Sequence, residues 1–482
     1  MHEVVSAILI LEVKEMERKK KKISVPHTYV ILCMLVLICA IMTWLIPAGA
    51  YDRVEDAVTG KMVVDPDSFH FTDDGGGLGF FDVMLEFIKG MESASDVIFF
   101  IFIIGGAFTI IQDTGAMSAS IHAMVRKFGK KQNLILILFI FMFSVLGGTM
   151  GMAEELIVFI PLLVTLCNEL KLDRMVALAV SMIGARVGFT TGLVNPFTVG
   201  VAQGMADLPL YSGLGYRLIW YGVILVFTCW YILRYAKKIK ENPSASIMYG
   251  VEIKGEEVFE DGEAPELTAR RIGVIALFFV SLAVMIFGVF KAGWFMEEIA
   301  TVFLILGIAA GFIGGMNPST IAKSFVRGAA DMTFAALVVG VAKAVLLTLQ
   351  DGAIIDTVVF YASSVLKHLP KMVAVWGMYV FQLLLNFLIP SGSGQAAATM
   401  PIMAPLSDTL GITRQTAVLC FHYGDGFTNL VAPTLGTLMG CIAVSKVPFD
   451  RYLKWVMPLL FAWIFVGFVS VTIAVLINLG PY

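Results

Sequence analysis

Charged side chains set into apolar sequence are where this chain could do chemistry: Glu154, Glu155, Arg186, His422 and Asp425. A charge in such surroundings is costly, so it faces a cavity, pairs with another charge or meets a passing solute. Asp425 or Glu155 could take an amino or guanidinium group and Arg186 a carboxylate. Alternatively, Arg186 forms an internal ion pair with one of the acids. Glu154 and Glu155 either complement the positive end of the helix that starts beside them or bind substrate or a proton. Histidine is the side chain whose ordinary titration lies near neutrality, so His422 could couple protons, or it serves only a structural role. Three acids against one arginine favour a zwitterionic or cationic solute, since a dicarboxylate needs more positive groups or bound cations. Protonation of one glutamate would cancel that preference. An intramembrane hydrolase fits poorly: HYGDG at His422 to Gly426 has no second acid in an equivalent setting, no nucleophile motif and no metal-ligand spacing. The chain is therefore expected to be no enzyme and to hold no metal or organic cofactor.

The elements that position these groups come from a duplication. GFTTGLVNP at Gly188 to Pro196 recurs as GFTNLVAP at Gly426 to Pro433. FIKG at Phe87 to Gly90 recurs as FVRG at Phe325 to Gly328, and Gln112 and Asp113 recur as Gln350 and Asp351, all 238 positions on. Glu155 aligns with Gln395, and Asp425 has no acidic mate, so the copies differ in charge. Asp113 and Asp351 each end a span, where they are expected to terminate a helix. Lys343, within a span, pairs with an acid or snorkels.

With 58% hydrophobic and 15% charged residues, the chain is expected to be an all-α polytopic membrane protein. The six cysteines stand singly, without metal or disulfide spacing. A helix needs roughly 20 residues to cross the ~30 Å hydrocarbon core. The basic N-terminus, 1–26, belongs in the cytoplasm and the acidic loop 51–79 outside. The first repeat covers 27–240. It contains an interfacial helix at 80–91, a hairpin at 132–170 whose arms are too short to span, and a helix at 175–206 broken at GARVGFTTGLVNP. A cytoplasmic linker, 241–271, leads to one unduplicated helix, 272–295, which turns the second copy over. That copy, 296–482, carries a hairpin at 371–410 with tip PSGSGQ and a helix at 413–445 broken at GDGFTNLVAP. The sum is about nine spanning helices, two re-entrant hairpins and two broken helices in inverted repeats, the plan of a secondary transporter. Its N-terminus lies in the cytoplasm and its C-terminus outside. An ion channel is the competing class, but two opposed hairpins are unlike one filter repeated about an axis.

GGTMGMAEE, NPFTVGVAQ, PSGSGQAAATMPIMAPLSD and GDGFTNLVAPT, in this order over nearly the whole chain, resemble the YfcC-type carriers of the anaerobic C4-dicarboxylate carrier (DcuC-like) family in the ion transporter superfamily. The resemblance implies a prokaryotic inner-membrane carrier and a homodimer, with a fixed scaffold and an elevator movement of hairpins and broken helices. It places Thr149, Met150 and Gly151 at the cytoplasmic tip and Ser391, Gly392, Ser393 and Gly394 at the outer one. Thr190, Thr191 and Asn195 line the first break, Thr428 and Asn429 the second. Members of the family are labelled carriers of C4-dicarboxylates or antiporters of basic amino acids such as arginine and ornithine. Neither tip carries the Ser-Asn-Thr signature of the dicarboxylate/sodium carriers. Sodium and protons are the candidate coupling ions. The partners are a small solute and the lipid bilayer, with no nucleic acid.

Overall fold

The computed structural model describes residues 28–55, 62–117, 119–120, 123, 131–153, 155–251, 266–292, 294 and 296–480. The chain is mostly helical. The first copy contains α1 (Thr28–Leu45), α2 (Phe80–Ser93), α3 (Ser95–Asp113), α4 (Gln132–Met150), α5 (Leu156–Glu169), α6 (Arg174–Leu178), α7 (Gly184–Thr191), α8 (Val201–Met205) and α9 (Leu214–Glu241). After α10 (Ala269–Ala292), the second contains α11 (Met296–Ile313), α12 (Pro318–Asp331), α13 (Thr333–Asp351), α14 (Ile355–Leu366), α15 (Lys371–Leu385), α16 (Gly392–Thr409), α17 (Arg414–Thr428), α18 (Gly436–Ser445) and α19 (Phe449–Leu476). Among the described residues, seven helical stretches are long and apolar enough to cross a membrane. Apolar helices α1 and α10 fall outside those seven.

Three features depart from the sequence reading. The acidic loop contains strands: β1 (Gly49–Ala50) pairs with β4 (His70–Phe71), and β2 (Arg53–Glu55) with β3 (Met62–Val64), both antiparallel. The all-α expectation therefore fails locally, because the short runs at Arg53–Glu55 and Met62–Val64 can pair as strands. Helix α14 was not anticipated, since its 12 residues are too short to read as a span. Finally, both breaks begin later than their motifs suggest. GARVGFTT is helical up to Gly192, which ends it at φ +58°, and GDGFT is helical up to Asn429. A π-helical turn at Ala179–Ile183 joins α6 to α7, a local widening of the helix often found where function needs it.

Packing exchanges elements between the copies. Helix α2 lies on α13 while α12 lies on α3; α1 lies on α13 while α11 lies on α3; α8 packs on α16 while α18 packs on α5. Close approach is made possible by glycine. A Cβ at Gly90 would run into the backbone of Gly340 and Ala344, and one at Gly328 into Gly105 and Thr109. Ion pairs follow the same exchange: Lys89 reaches Asp351 and Glu86, and Arg327 reaches Asp113, which also accepts from Ser324. Asp113 and Asp351 thus do more than end helices, since each ties its span to the interfacial helix of the other copy.

Candidate functional site

In the second copy, three elements converge: the tip between α15 and α16, helix α17, and, from the first copy, the π-helical turn Pro196–Gly200 that precedes α8. Asp425, on α17, is fully buried. Neither of its carboxylate oxygens has a partner of full hydrogen-bond geometry among the described residues; Arg186 is its charged neighbour, and the Asn429 side chain is the polar group that comes nearest to bonding it. Gly392 passes so close that a Cβ there would sit 3.2 Å from Asp425 Oδ2 and against the Thr198 methyl. The tip can approach this carboxylate because position 392 has no side chain. Ser391 caps α16, its hydroxyl accepting from the Gly394 N–H, and Ser393 is exposed. Asn386, just before the tip, donates to the Asp425 carbonyl (2.8 Å), to Thr428 Oγ1 (2.8 Å) and to Asn429 Oδ1 (2.9 Å). Gln395 donates to Gln382 Oε1 at 2.7 Å and ties the two arms of the hairpin together.

The first copy is built on the same plan with different chemistry. The Val194 N–H donates to the Gly148 carbonyl, joining break and hairpin at 2.9 Å. Asn195 caps the segment after the break through Oδ1, which accepts from the Phe197 N–H, and its Nδ2 has no acceptor among the described residues. Gly151, at φ +66°, lies against Asn195 Oδ1. Thr149, Thr190 and Thr191 turn their hydroxyl protons back onto helix carbonyls, so their oxygens can still accept from a donor but not donate to one. Glu155 accepts from the Ala153 N–H at 2.9 Å, so its carboxylate serves the tip turn. Glu154 lies outside the described residues. Arg186 is buried with its guanidinium 4.9 Å from the Phe189 ring. The two broken helices cross where a Cβ at Gly426 would lie 2.6 Å from Thr190 Cα, and His422 is buried against Gly192.

Comparison with known proteins decides what this arrangement belongs to. The sequence profile of the DcuC family, C4-dicarboxylate anaerobic carrier, matches residues 25–476. The chain belongs to the C4-dicarboxylate anaerobic carrier family. It is a multi-pass membrane transporter and not an enzyme. It is 32% identical over 468 residues to an Escherichia coli (strain K12) protein named "Putative basic amino acid antiporter YfcC", covering 89% of this chain and 92% of that one. It is 30% identical to an uncharacterised Haemophilus influenzae protein, covering 95% of this chain and 98% of the relative. Among solved structures, the Alcanivorax borkumensis YdaH transporter aligns at TM-score 0.43 and Neisseria gonorrhoeae MtrF at 0.40, each 14% identical, covering 95% and 94% of this chain and 100% and 96% of theirs.

Sequence reasoning missed several groups that hold the carrier's two breaks. Arg217, fully buried on α9, donates to the Gly192 carbonyl at 2.7 Å and also to the carbonyls of Ser212 and Tyr211. Tyr452, at the matching place on α19, donates to the Leu430 carbonyl at 2.7 Å. Gly192 and Leu430 are themselves 238 positions apart. Each copy therefore satisfies a carbonyl of its break from its own last helix, as unwound backbone within a membrane requires. Asn386 gave no signal because its repeat mate, Gly148, has no side chain.

Proposed function

We propose that this carrier moves a small carboxylate-bearing solute, a basic amino acid such as arginine or ornithine, by exchange across a prokaryotic inner membrane. The observation that carries the reading is Asp425, a wholly buried carboxylate with no partner of full hydrogen-bond geometry among the described residues, set against the closest approach of a hairpin tip. Such a group is expensive to keep unless something cationic visits it. Arg186 beside it suits the solute's carboxylate. The name borne by the E. coli relative agrees with this class. The sequence-derived site set (Glu154, Glu155, Arg186, Thr190, Thr191, Asn195, Gln395, Asp425, Thr428 and Asn429 with both tips) is proposed to line the path, with His422, Asp425 or Glu155 coupling proton movement.

The mechanism proposed is an elevator. Two sets of helices pack mainly within themselves: α1, α2, α3, α11, α12 and α13 in one, the hairpins, broken helices, α9 and α19 in the other. The first would be a dimerising scaffold and the second the moving body, in nine spans of inverted repeats with the N-terminus inside and the C-terminus outside. A second reading, C4-dicarboxylate transport coupled to sodium or protons, is favoured by the family's description and by the helix N-terminus at Gly392, which suits a carboxylate. Counterflow in proteoliposomes decides between them. Arginine or ornithine should exchange with its labelled self; if malate or succinate competes while arginine, ornithine and lysine do not, the amino-acid reading is wrong. Conductance far above carrier rates would instead indicate a channel.

A further inference from the structure

Several buried side chains at the two breaks leave polar atoms without a partner among the described residues, His422 and Thr198 among them. In the second copy, three buried side chains each leave acceptor oxygens without a partner among the described residues: Asp425 Oδ1 and Oδ2, Asn386 Oδ1 and Gln395 Oε1. In the first, Asn195 leaves a donor, Nδ2.

The orientation of both amides is enforced. Asn386 Nδ2 faces a main-chain carbonyl, the Thr428 hydroxyl and Asn429 Oδ1. Because the Thr428 hydroxyl gives its own proton to the Gly424 carbonyl at 3.0 Å, it can only accept from Asn386. Gln395 belongs to a closed ring: Thr399 donates to the Gln395 carbonyl (2.8 Å), Gln382 donates to Thr399 Oγ1 (2.9 Å), and Gln395 donates to Gln382 Oε1 (2.7 Å). Turning either amide over would set its oxygen against groups that only accept there and abandon these bonds. An unpaired buried acceptor costs the free energy of its lost hydration. Three side chains held so on neighbouring elements point to a ligand that only donates.

We infer that Asn386, Gln395 and Asp425 form the subsite for the cationic end of the solute, an ammonium or guanidinium, while Asn195 Nδ2 in the first copy meets its carboxylate end. This rests on the amino-acid reading above and sharpens it. The carrier would discriminate by the number of N–H donors at the far end of the solute. Gln395 would be a specificity residue where its mate, Glu155, serves the tip turn. An inorganic monovalent cation shares the liking for oxygens and is separated by the test.

The test compares ornithine with norvaline, which keeps the α-amino acid and the carbon chain but lacks the terminal amine. Binding to the purified full-length carrier is measured in wild type, Gln395→Leu, Asn386→Leu and Thr399→Val, with and without sodium. Thr399→Val removes the hydroxyl that orients the Gln382 amide, loosening Gln395 while the Gln382 main-chain carbonyl still holds it and its oxygen stays in place, and covers the case in which a leucine variant misfolds. The expected result is about tenfold weaker ornithine binding in the leucine variants, the loss of one charge-assisted hydrogen bond, a smaller loss in Thr399→Val, and norvaline binding unchanged. Equal loss for both amino acids, or none for either, overturns the subsite. So does a tenfold loss in sodium affinity with the ornithine-to-norvaline ratio intact, because the oxygens would then hold the inorganic ion. If wild type binds neither ornithine nor arginine but takes succinate, the amino-acid reading itself has failed, which no result on the variants could mimic.

Discussion

Asp425→Asn separates a solute-binding carboxylate from a structural one, because the two roles predict opposite pairs of effects. The carboxylate has no partner of full hydrogen-bond geometry among the described residues, so the amide costs the resting protein little. Removing a buried negative charge also removes its desolvation penalty. The melting temperature of the detergent-purified carrier should hold or rise. Transport should behave differently. If the carboxylate receives an ammonium or guanidinium, the variant loses a hydrogen bond between charged groups, worth about 1.5–3 kcal/mol. At about 1.4 kcal/mol per decade, that is roughly a 10- to 150-fold rise in the half-saturating concentration of ornithine in counterflow. The competing role is an internal pair with Arg186, its charged neighbour. Breaking a buried pair by removing one partner costs about 3–5 kcal/mol, so that role predicts a steep fall in melting temperature. A destabilised Asp425→Asn carrier with unchanged half-saturation for ornithine would refute the solute-binding argument.

The exchanged packing predicts that glycine matters more than charge where α2 lies on α13. Gly90→Ala should cost about 1–3 kcal/mol by forcing α2 off the backbone of α13. Asp351→Asn, at a partly exposed pair, should cost no more than about 1 kcal/mol; thermal melts of the two variants check the order. Glu86 is buried in the interfacial helix, and that burial raises its carboxyl above the ordinary 4.5, with Lys89 pulling the other way. A raised carboxyl binds its proton more tightly folded than unfolded, so its stabilising share is complete below 4.5 and shrinks as pH rises through the folded value. Melting temperature should fall across that range, and Glu86→Gln should flatten the slope. Tyr452→Phe removes the one bond to the Leu430 carbonyl and should cost about 0.5–1.5 kcal/mol. Arg217→Lys, which forfeits a fork spread over several carbonyls, should cost more and slow counterflow.

Hydropathy and helix punctuation alone located most helices, because a membrane chain must bury its backbone within each segment. Gln132–Met150, Leu156–Glu169 and Lys371–Leu385 end close to where apolar runs give way to glycine and polar tips. The breaks were visible as GLVNP and NLVAP, but their onset was not. Thr190 and Asp425 proved helical, the Thr190 hydroxyl returning to the Val187 carbonyl of its own helix. The 238-residue register of FIKG with FVRG and of Gln112–Asp113 with Gln350–Asp351 was legible as repetition. That Lys89 should meet Asp351, and Arg327 meet Asp113, was not legible, since exchange between copies is a property of their packing.

The site divides in the same way. Buried charge in an apolar chain marked Arg186, His422 and Asp425 by cost alone. Tertiary structure decided which of the candidates have polar atoms to spare. Ser391 and Glu155 are occupied with tip backbone, the hydroxyl protons of Thr149, Thr190 and Thr191 with their own helices, while Asp425 and Asn195 keep unpaired atoms. Asn386 and Arg217 entered only through distance, as neither belongs to a motif. Residue type says what a group can donate or accept, but whether a partner has already taken that capacity depends on which atoms the fold brings within 3 Å of it.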